Sequence, residues 1–537
     1  MAFTELTFDS ALKDRIASEK AGDIRPIFVL EDGTAISPSA FEKMVSASAA
    51  WLASRGIIEG DRVAIWLPNK IEWMALLFAC ARIGAIVGAV NTRYRTAELQ
   101  HILKSSGAKM LIFEGQNSYT DFHGLISELD FSELPELEMF ACIDQDSEQL
   151  RPLNKIEIDS FTMDASLPAP DSVGRPDSPI LLFTTSGTTN APKLVVHIQR
   201  AVALHANNCA KAMGFDKEGA RFLAVMPFCG VFGLSPTLAA IASGAPVYLN
   251  TQFNIDLLIR TAKANAITHL FGSDEMYLQI WQKDKEALAH ARICGFASFT
   301  PGMEDKLRQM ATSGVPLVGL YGASELHAIL STQPLSLPID QRLQGGGKFA
   351  SELTEIRVRN TEIGDLCATN EVGVMEFRAP TNFIGYFRNK EATSKAIDEE
   401  GFFHSNDVGY VRDDGTYVYM ARNGDFLRLS GFLTDPKEIE EVIEQNDSVE
   451  KCQVVGIEFE GKTRPVAFVI GTDAARPPNE EDVISNAKSS LAHYKVPLRV
   501  IVVDAFPTTE SANGLKIQKT KLRDQAIRYF QENLPKS

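Results

Sequence analysis

The residues with the clearest capacity for chemistry stand together in Thr184-Thr185-Ser186-Gly187-Thr188-Thr189-Asn190-Ala191-Pro192-Lys193, directly after the apolar run Ile180-Leu181-Leu182-Phe183. The segment is small, hydroxylated and glycine-containing, and it ends in a lysine. A strand that runs into such a loop gathers backbone N–H groups, hydroxyl donors and one ammonium at a single point, which suits a polyphosphate. It is not a Walker A loop, which needs Gly-Lys followed at once by Ser or Thr; here Pro192 precedes the lysine and Leu194 follows it. Taken alone, the segment reads equally well as a surface turn rich in Ser and Thr.

Four further segments follow in order: Tyr321-Gly322-Ala323-Ser324-Glu325, Gly401-Phe402-Phe403-His404-Ser405-Asn406-Asp407-Val408-Gly409, Arg422-Asn423-Gly424-Asp425 and Lys516-Ile517. With the first loop they resemble the adenylate-forming superfamily of acyl-CoA synthetases, luciferases and peptide-synthetase adenylation domains, whose phosphate loop runs Thr-Ser-Gly-Thr-Thr-Gly-x-Pro-Lys-Gly. Weaker similarity begins near Gly60-Asp61-Arg62-Val63-Ala64 and Asn91-Thr92-Arg93, so the resemblance spans nearly the whole chain. It implies two half-reactions. A carboxylate attacks the α-phosphate of MgATP to give an acyl adenylate and pyrophosphate, and a thiol then displaces AMP. With both reacting groups anionic, positioning and charge neutralisation dominate the first step.

Carried over residue by residue, the resemblance places Thr185, Ser186, Thr188, Thr189 and Lys193 around the β- and γ-phosphates, with Gly187 allowing close backbone approach. Glu325 matches the magnesium ligand, a hard oxygen donor of the kind Mg²⁺ takes beside phosphates. Tyr321 matches the residue that stacks on adenine, and Ser324 keeps the hydroxyl of the usual threonine. Asp407 matches the acceptor of both ribose hydroxyls, a task for a carboxylate with two oxygens, and Arg422 matches the arginine that reaches ribose and phosphate. Lys516 matches the lysine that bridges carboxylate and α-phosphate, while His404 reads as a structural hydrogen-bonding residue. Asn190, Leu194, Asn406 and Leu515 all depart from family glycines. Asn tolerates a positive φ; for Leu194 the sequence offers only packing.

Met226-Pro227-Phe228-Cys229-Gly230-Val231-Phe232-Gly233-Leu234 resembles the acyl-pocket motif, with Gly230 where relatives carry histidine or, in amino-acid activators, aspartate. The pocket expected from Gly230, Val231, Phe232 and Gly322 therefore lacks a partner for an α-ammonium and has room for a bulky acid, whether medium- or long-chain acyl or aryl, with fatty acyl preferred. Ser430-Gly431 resembles the segment lining the pantetheine tunnel of CoA ligases, and no carrier domain follows it, so free coenzyme A is the expected acceptor and Gly431 a tunnel residue. Two alternatives stay open: a fatty-acyl-AMP ligase loading a separate carrier, and a non-catalytic ATP-binding homologue.

The elements that must position these residues follow from patterning. Short β-rich runs at Val63–Leu67, Lys109–Phe113, Leu181–Phe183, Phe222–Met226, Pro246–Leu249, His269–Phe271 and Leu317–Tyr321 alternate with helical segments, which predicts open α/β sheets with ligands beyond the carboxyl ends of the strands. Past Arg422 the style changes to a small α+β unit with helices near Pro436–Gln445 and Glu480–Tyr494. The expected organisation is α/β: residues 1–424 form a large domain of stacked α/β sheets binding ATP and acid. Residues 425–537 form a small mobile catalytic domain that turns about Asp425 between half-reactions.

At 537 residues the chain exceeds what one core supports. With 53 basic against 69 acidic residues, its net charge of −16 repels nucleic acid and anionic membranes on average. The 7 cysteines match neither a disulfide framework nor a metal motif. Met74–Val90, broken by Arg82 and Gly84, reads as a buried helix running into a strand and not as a membrane span. The amino terminus lacks a secretory pattern, which predicts a cytoplasmic protein. The oligomeric state stays open, with a homodimer as the assembly considered.

Overall fold

The computed structural model describes residues 5–115, 117, 120–144, 152–154, 156–185, 192–298, 303–360, 364–423, 427–429, 432–460, 462–473, 475–491, 493–511 and 514–533. Two large sheets carry the part up to Arg422. An 8-stranded sheet runs, in spatial order, Gly385–Tyr386, Leu194–Ile198, Pro179–Thr184, Ile86–Ala89, Arg62–Trp66, Met110–Phe113, Met139–Cys142 and Ile158–Ser160. Its strands are parallel from Pro179–Thr184 outward to Ile158–Ser160, whereas Leu194–Ile198 and Gly385–Tyr386 join antiparallel at the other edge. The parallel strands are almost continuously apolar and buried, as sheets covered on both faces require.

The 13-stranded sheet changes character in the middle. Phe28–Val29, Val247–Leu249, Phe222–Ala224, His269–Ser273, Ile293–Ala297 and Leu317–Ala323 run parallel. From Leu317–Ala323 onward the neighbours His327–Thr332, Gly345–Phe349, Tyr417–Arg422, Phe403–Val411, Gly373–Arg378 and Glu355–Arg359 are all antiparallel. Every strand expected from the sequence is present, within a residue or two at each end. The apolar stretch Met74–Val90 is the buried helix Ile71–Ile83, closed by Gly84 at φ 71°, and the buried strand Ile86–Ala89. Glycine takes that left-handed cap without the penalty a Cβ carries. Among the described residues no helix is long and apolar enough to cross a membrane.

The carboxy-terminal part has cores of its own. Val449–Phe459, Lys462–Gly471 and Arg499–Val502 form a 3-stranded sheet. One face packs on Ile439, Ile443, Val483 and Ala487; the other packs on Leu522, Ala526 and Phe530. Helix Pro436–Glu444 starts as expected, with proline in its first turn and Asp435 accepting from Lys437 N–H. The second helix is shorter than expected: it ends at Ser490, where Leu491 turns extended, and a 3₁₀ turn His493–Lys495 leads to Pro497. Two 2-stranded ribbons complete this part: Leu427–Leu429 with Phe432–Thr434, and Thr508–Ser511 with Gly514–Ile517. The expected domain junction and hinge at Gly424-Asp425 lies outside the described residues. Six of the cysteines are buried and Cys367 half-buried, all as free thiols; burial pushes Cys80, Cys229 and Cys294 up to about 12, consistent with small apolar fillers.

Candidate active site

The hydroxyl-rich loop grows out of a hairpin base. Thr184 pairs with Leu194 across the strands. Thr185 N–H donates to Lys193 O at 3.0 Å, and Lys193 N–H donates back to Thr185 Oγ1 at 3.2 Å. Ser186, Gly187, Thr188, Thr189 and Asn190 lie outside the described residues. Leu194 has a clear reason: it opens the returning strand, is 3% exposed and packs with Trp66, Leu182 and Val196, where glycine would leave a hole. Lys193 extends its ammonium to 4.9 Å from the centre of the Tyr386 ring. The Tyr386 hydroxyl in turn donates to Glu325 Oε1 at 2.8 Å. Burial pushes the Glu325 carboxyl up from its ordinary value, and the Tyr386 hydrogen bond opposes that shift.

Glu325 sits in the turn between strands Leu317–Ala323 and His327–Thr332, where the large sheet changes from parallel to antiparallel. Three buried imidazoles hold that turn from below. His197 Nε2 meets Ser324 O at 2.7 Å and His205 Nε2 meets Ala328 O at 2.7 Å. A carbonyl only accepts, so Nε2 carries the proton in both rings. The His327 ring lies 3.9 Å from that of His197 and 4.7 Å from that of His205, centroid to centroid. Burial lowers His197 and His205 to about 4, so the stack is neutral at pH 7. His327 and Ile329 adopt φ 64° and 61°, costly for such side chains and tolerable because the surroundings over-determine the turn. A Cβ on Gly322 would fall 2.7 Å from Ala328 Cα, so this crossing admits only glycine.

Asp407 comes to the same end of the sheet from a neighbouring strand. Tyr321 OH donates to Asp407 Oδ2 at 2.5 Å, and Arg422 Nε lies 3.0 Å from Asp407 Oδ1. Asp407 and Arg422 are direct cross-strand partners, which sets that pair by register. Tyr321 stacks on Phe377 at 5.3 Å. Asn406 has φ 58°, and its carbonyl accepts from Asn423 N–H at 2.8 Å; Asn is among the few residues other than glycine that take this left-handed position readily. His404 approaches Asp398 Oδ2 at 3.3 Å. With Glu376 they make an acid–histidine cluster that Arg357 and Arg359 already neutralise.

The structure therefore brings together Tyr321, Ser324 and Glu325 at or just beyond the carboxyl end of Leu317–Ala323, Arg422 at the carboxyl end of Tyr417–Arg422 and Asp407 midway along Phe403–Val411, with Lys193 reaching them from just before strand Leu194–Ile198 of the other sheet. Gly230 caps helix Val231–Ser243 and is half-exposed like Val231, while Phe232 is 5% exposed. The loop before Gly230 is fixed by buried Asn69, whose Nδ2 donates to Met226 O and whose Oδ1 accepts from Phe228 N–H, both at 2.9 Å. Lys516 occupies the ribbon strand Gly514–Ile517 opposite Thr509, and its side chain lies outside the described residues, as does that of Leu515. Gly431 and Asp425 are outside them too. Sequence reasoning missed Tyr386, Asn69 and the histidine stack. Only Gly385-Tyr386 left a trace, as a turn residue beside an aromatic; the others gained their partners through tertiary contact.

A family model described as AMP-binding enzyme matches residues 14–387, and one described as AMP-binding enzyme C-terminal domain matches residues 438–513. The chain belongs to the AMP-binding enzyme family. Among the curated relatives of this AMP-binding enzyme is the human mitochondrial medium-chain acyl-CoA ligase ACSF2, 24% identical over 96% of this chain and 86% of that protein. Among solved structures, ATP-bound MatB from Rhodopseudomonas palustris has a TM-score of 0.80 at 21% identity, covering 98% of this chain and 100% of that one. O-succinylbenzoate coenzyme A synthetase (MenE) from Bacillus subtilis, in complex with AMP, has a TM-score of 0.78 at 21% identity, covering 96% and 98%. The AMP-binding enzyme thus has the adenylate-forming fold, mixed α/β with a large amino-terminal and a smaller carboxy-terminal portion.

Proposed function

We propose that this AMP-binding enzyme is an acid–thiol ligase that activates a carboxylic acid with ATP and passes the acyl group to coenzyme A. The single observation that carries the reading is the convergence of Lys193, Glu325, Asp407 and Arg422 where the edge of the 8-stranded sheet meets the 13-stranded one, linked through Tyr386 and Tyr321. The crevice beyond the carboxyl ends of α/β strands, where Glu325 and Arg422 stand, is where nucleotides bind. Asp407 and Arg422 address the ribose and Tyr321 the base, while Lys193 and the Thr185 loop address the phosphates. A ribose hydroxyl must share or replace the hydrogen bond that Asp407 Oδ2 receives from Tyr321.

In the first step an oxygen of the acid forms a bond to the α-phosphorus as the bond to pyrophosphate breaks. The protein's part is to align the two anions and neutralise them, with Lys516 as the cation brought to the reacting atoms. In the second, the thiol sulfur of coenzyme A bonds to the acyl carbon, the carbon–oxygen bond to AMP breaks, and the thiol proton leaves to solvent. The small domain, residues 425–537, turns about Asp425 between the steps and brings Gly431 to the thiol's path. Glu325 fits a magnesium ion: nucleotide-bound Mg²⁺ takes one or two carboxylates beside phosphate oxygens, and here Tyr386 orients a carboxylate at the strand end. When bound, the ion neutralises phosphate charge.

Gly230, standing where the resemblance puts aspartate in amino-acid activators, favours a bulky acid without an α-amine, a medium- or long-chain fatty acid before an aryl acid. Exchange of labelled pyrophosphate into ATP across fatty, aryl and amino acids tests the reading. Fatty and aryl acids are expected to support exchange and amino acids to fail; no exchange with any carboxylic acid would overturn it.

A further inference from the structure

We propose that Tyr386 is a positioning residue that holds the Glu325 carboxylate and the Lys193 ammonium in separate, nucleotide-ready places. The inference rests on the function proposed above and gives that site a residue for ordering it. One side chain serves both charges: its hydroxyl donates to Glu325 Oε1 at 2.8 Å, and its ring lies 4.9 Å from Lys193 Nζ. Among the described residues, what the Lys193 ammonium rests on is an aromatic face and not a carboxylate. A cation near a half-buried carboxylate with no such separator would be drawn into an ion pair, which a nucleotide would have to break before using either group.

Register explains why the ring stays in place. Tyr386 belongs to the two-residue edge strand Gly385–Tyr386, paired antiparallel to the strand that Lys193 immediately precedes, with Tyr386 opposite Val195. Ile384 N–H donates to Val196 O at 3.0 Å and Phe387 N–H to Leu194 O at 2.8 Å. Tyr386 N–H itself donates to Thr393 Oγ1 at 2.9 Å. The neighbouring Phe383 N–H donates to Glu325 O at 2.9 Å, so the segment grips both the backbone and the side chain of Glu325. A residue almost two hundred positions from the hydroxyl-rich loop thereby ties that loop's lysine to the acidic turn of the other sheet.

Two substitutions separate the two contacts. Tyr386→Phe removes the hydroxyl and keeps the ring; Tyr386→Leu removes both. Calorimetric titration with ATP in EDTA and with ATP plus Mg²⁺ reads each contact apart from turnover. For Tyr386→Phe, affinity in EDTA should stay within about twofold of wild type while the strengthening by Mg²⁺ shrinks about tenfold, the scale of a hydrogen bond to a charged group. For Tyr386→Leu, affinity in EDTA should also fall, by roughly threefold, as the ammonium loses its aromatic support. In steady state, Tyr386→Phe should raise the Mg²⁺ concentration for half-activation about tenfold and leave kcat at saturating Mg²⁺ within about twofold. A merely structural tyrosine would lower kcat and leave that half-activation point unmoved, which would refute the role. Variants indistinguishable from wild type in both titrations would also refute it, and equal losses in the two variants would refute the hydroxyl–ring division. If Tyr386→Leu does not fold, the Tyr386→Phe titration alone decides the hydroxyl contact. Wild-type protein that binds no ATP in either buffer would refute the function itself, an outcome distinct from ATP binding that ignores Tyr386.

Discussion

The two halves of the proposed chemistry stand on different kinds of support. Glu325 and Arg422 sit at strand ends, and Asp407 within a strand, of a 13-stranded sheet, over a buried histidine stack and an aromatic cluster that fix the turn and the cross-strand pair. Lys516 stands on a ribbon of 2 strands that, among the described residues, pairs with no further strand, and a second 2-stranded ribbon follows Arg422. An isolated hairpin is marginal in water and takes its position from what it docks on. On the proposed mechanism the contrast is a division of labour: groups that would hold the nucleotide through both steps are preorganised by wide sheets. The cation proposed for one step only would be carried on a narrow element that can be presented and withdrawn.

The largest expected effect breaks the sheet side. Asp407→Ala takes from half-exposed Arg422 its partner and from the nucleotide its proposed anchor, a loss of about 3 to 5 kcal/mol on the scale of two ribose hydrogen bonds to a charged group. Because AMP is present in both steps, pyrophosphate release and thioester formation should fall together. Lys516→Ala tests the ribbon side: acyl adenylate formation should drop by about 3 to 4 kcal/mol, a hundredfold or more, while thioester formation from supplied acyl adenylate persists. Equal loss in both assays would erase the contrast.

A third outcome concerns stability of the sheet body. His269, in a strand of the large sheet, is lowered by burial to about 4 from an ordinary 6.5. Between those values the unfolded chain binds a proton that the native state excludes, so stability falls as pH drops through the window and is level above it. From pH 7.5 to 5 this one residue accounts for about 2 kcal/mol, readable as the amount by which His269→Gln shrinks the difference between urea unfolding at the two pH values, with His197 and His205 still contributing theirs. The smallest effect is one of ranking. Gly230→His should shift kcat/KM toward smaller acids by about tenfold, or ~1.4 kcal/mol, and leave the separation of the two steps intact; an unchanged ranking would remove Gly230 from the pocket wall.

Much of this site was legible before the fold was known, because its chemistry is written in short local segments. The hydroxyl-rich loop and Tyr321 to Glu325 each declare a strand end and a polar group together, and the segment around Asp407 declares a strand that carries one. The strands themselves announced their apolar runs, and the helix-to-strand reading of Met74–Val90 held because Gly84 marks the break. Tyr386 was not legible: nothing in Gly385-Tyr386 says that its segment returns to pair with Val195 and to grip Glu325. The histidines at 197, 205 and 327 are scattered, and only the crossing of two strands and a helix stacks them. Leu194 looked like a flaw in a glycine loop because packing against Trp66 and Leu182 is a tertiary fact.

Rapid quenching of enzyme mixed with ATP, Mg²⁺ and a medium-chain acid, first without and then with coenzyme A, tests the central claim most directly. The account predicts about one equivalent of pyrophosphate and of bound acyl adenylate before coenzyme A is added, then matched release of AMP and acyl-CoA. Pyrophosphate that appears only together with coenzyme A, or an adenylate that coenzyme A does not consume, would contradict it.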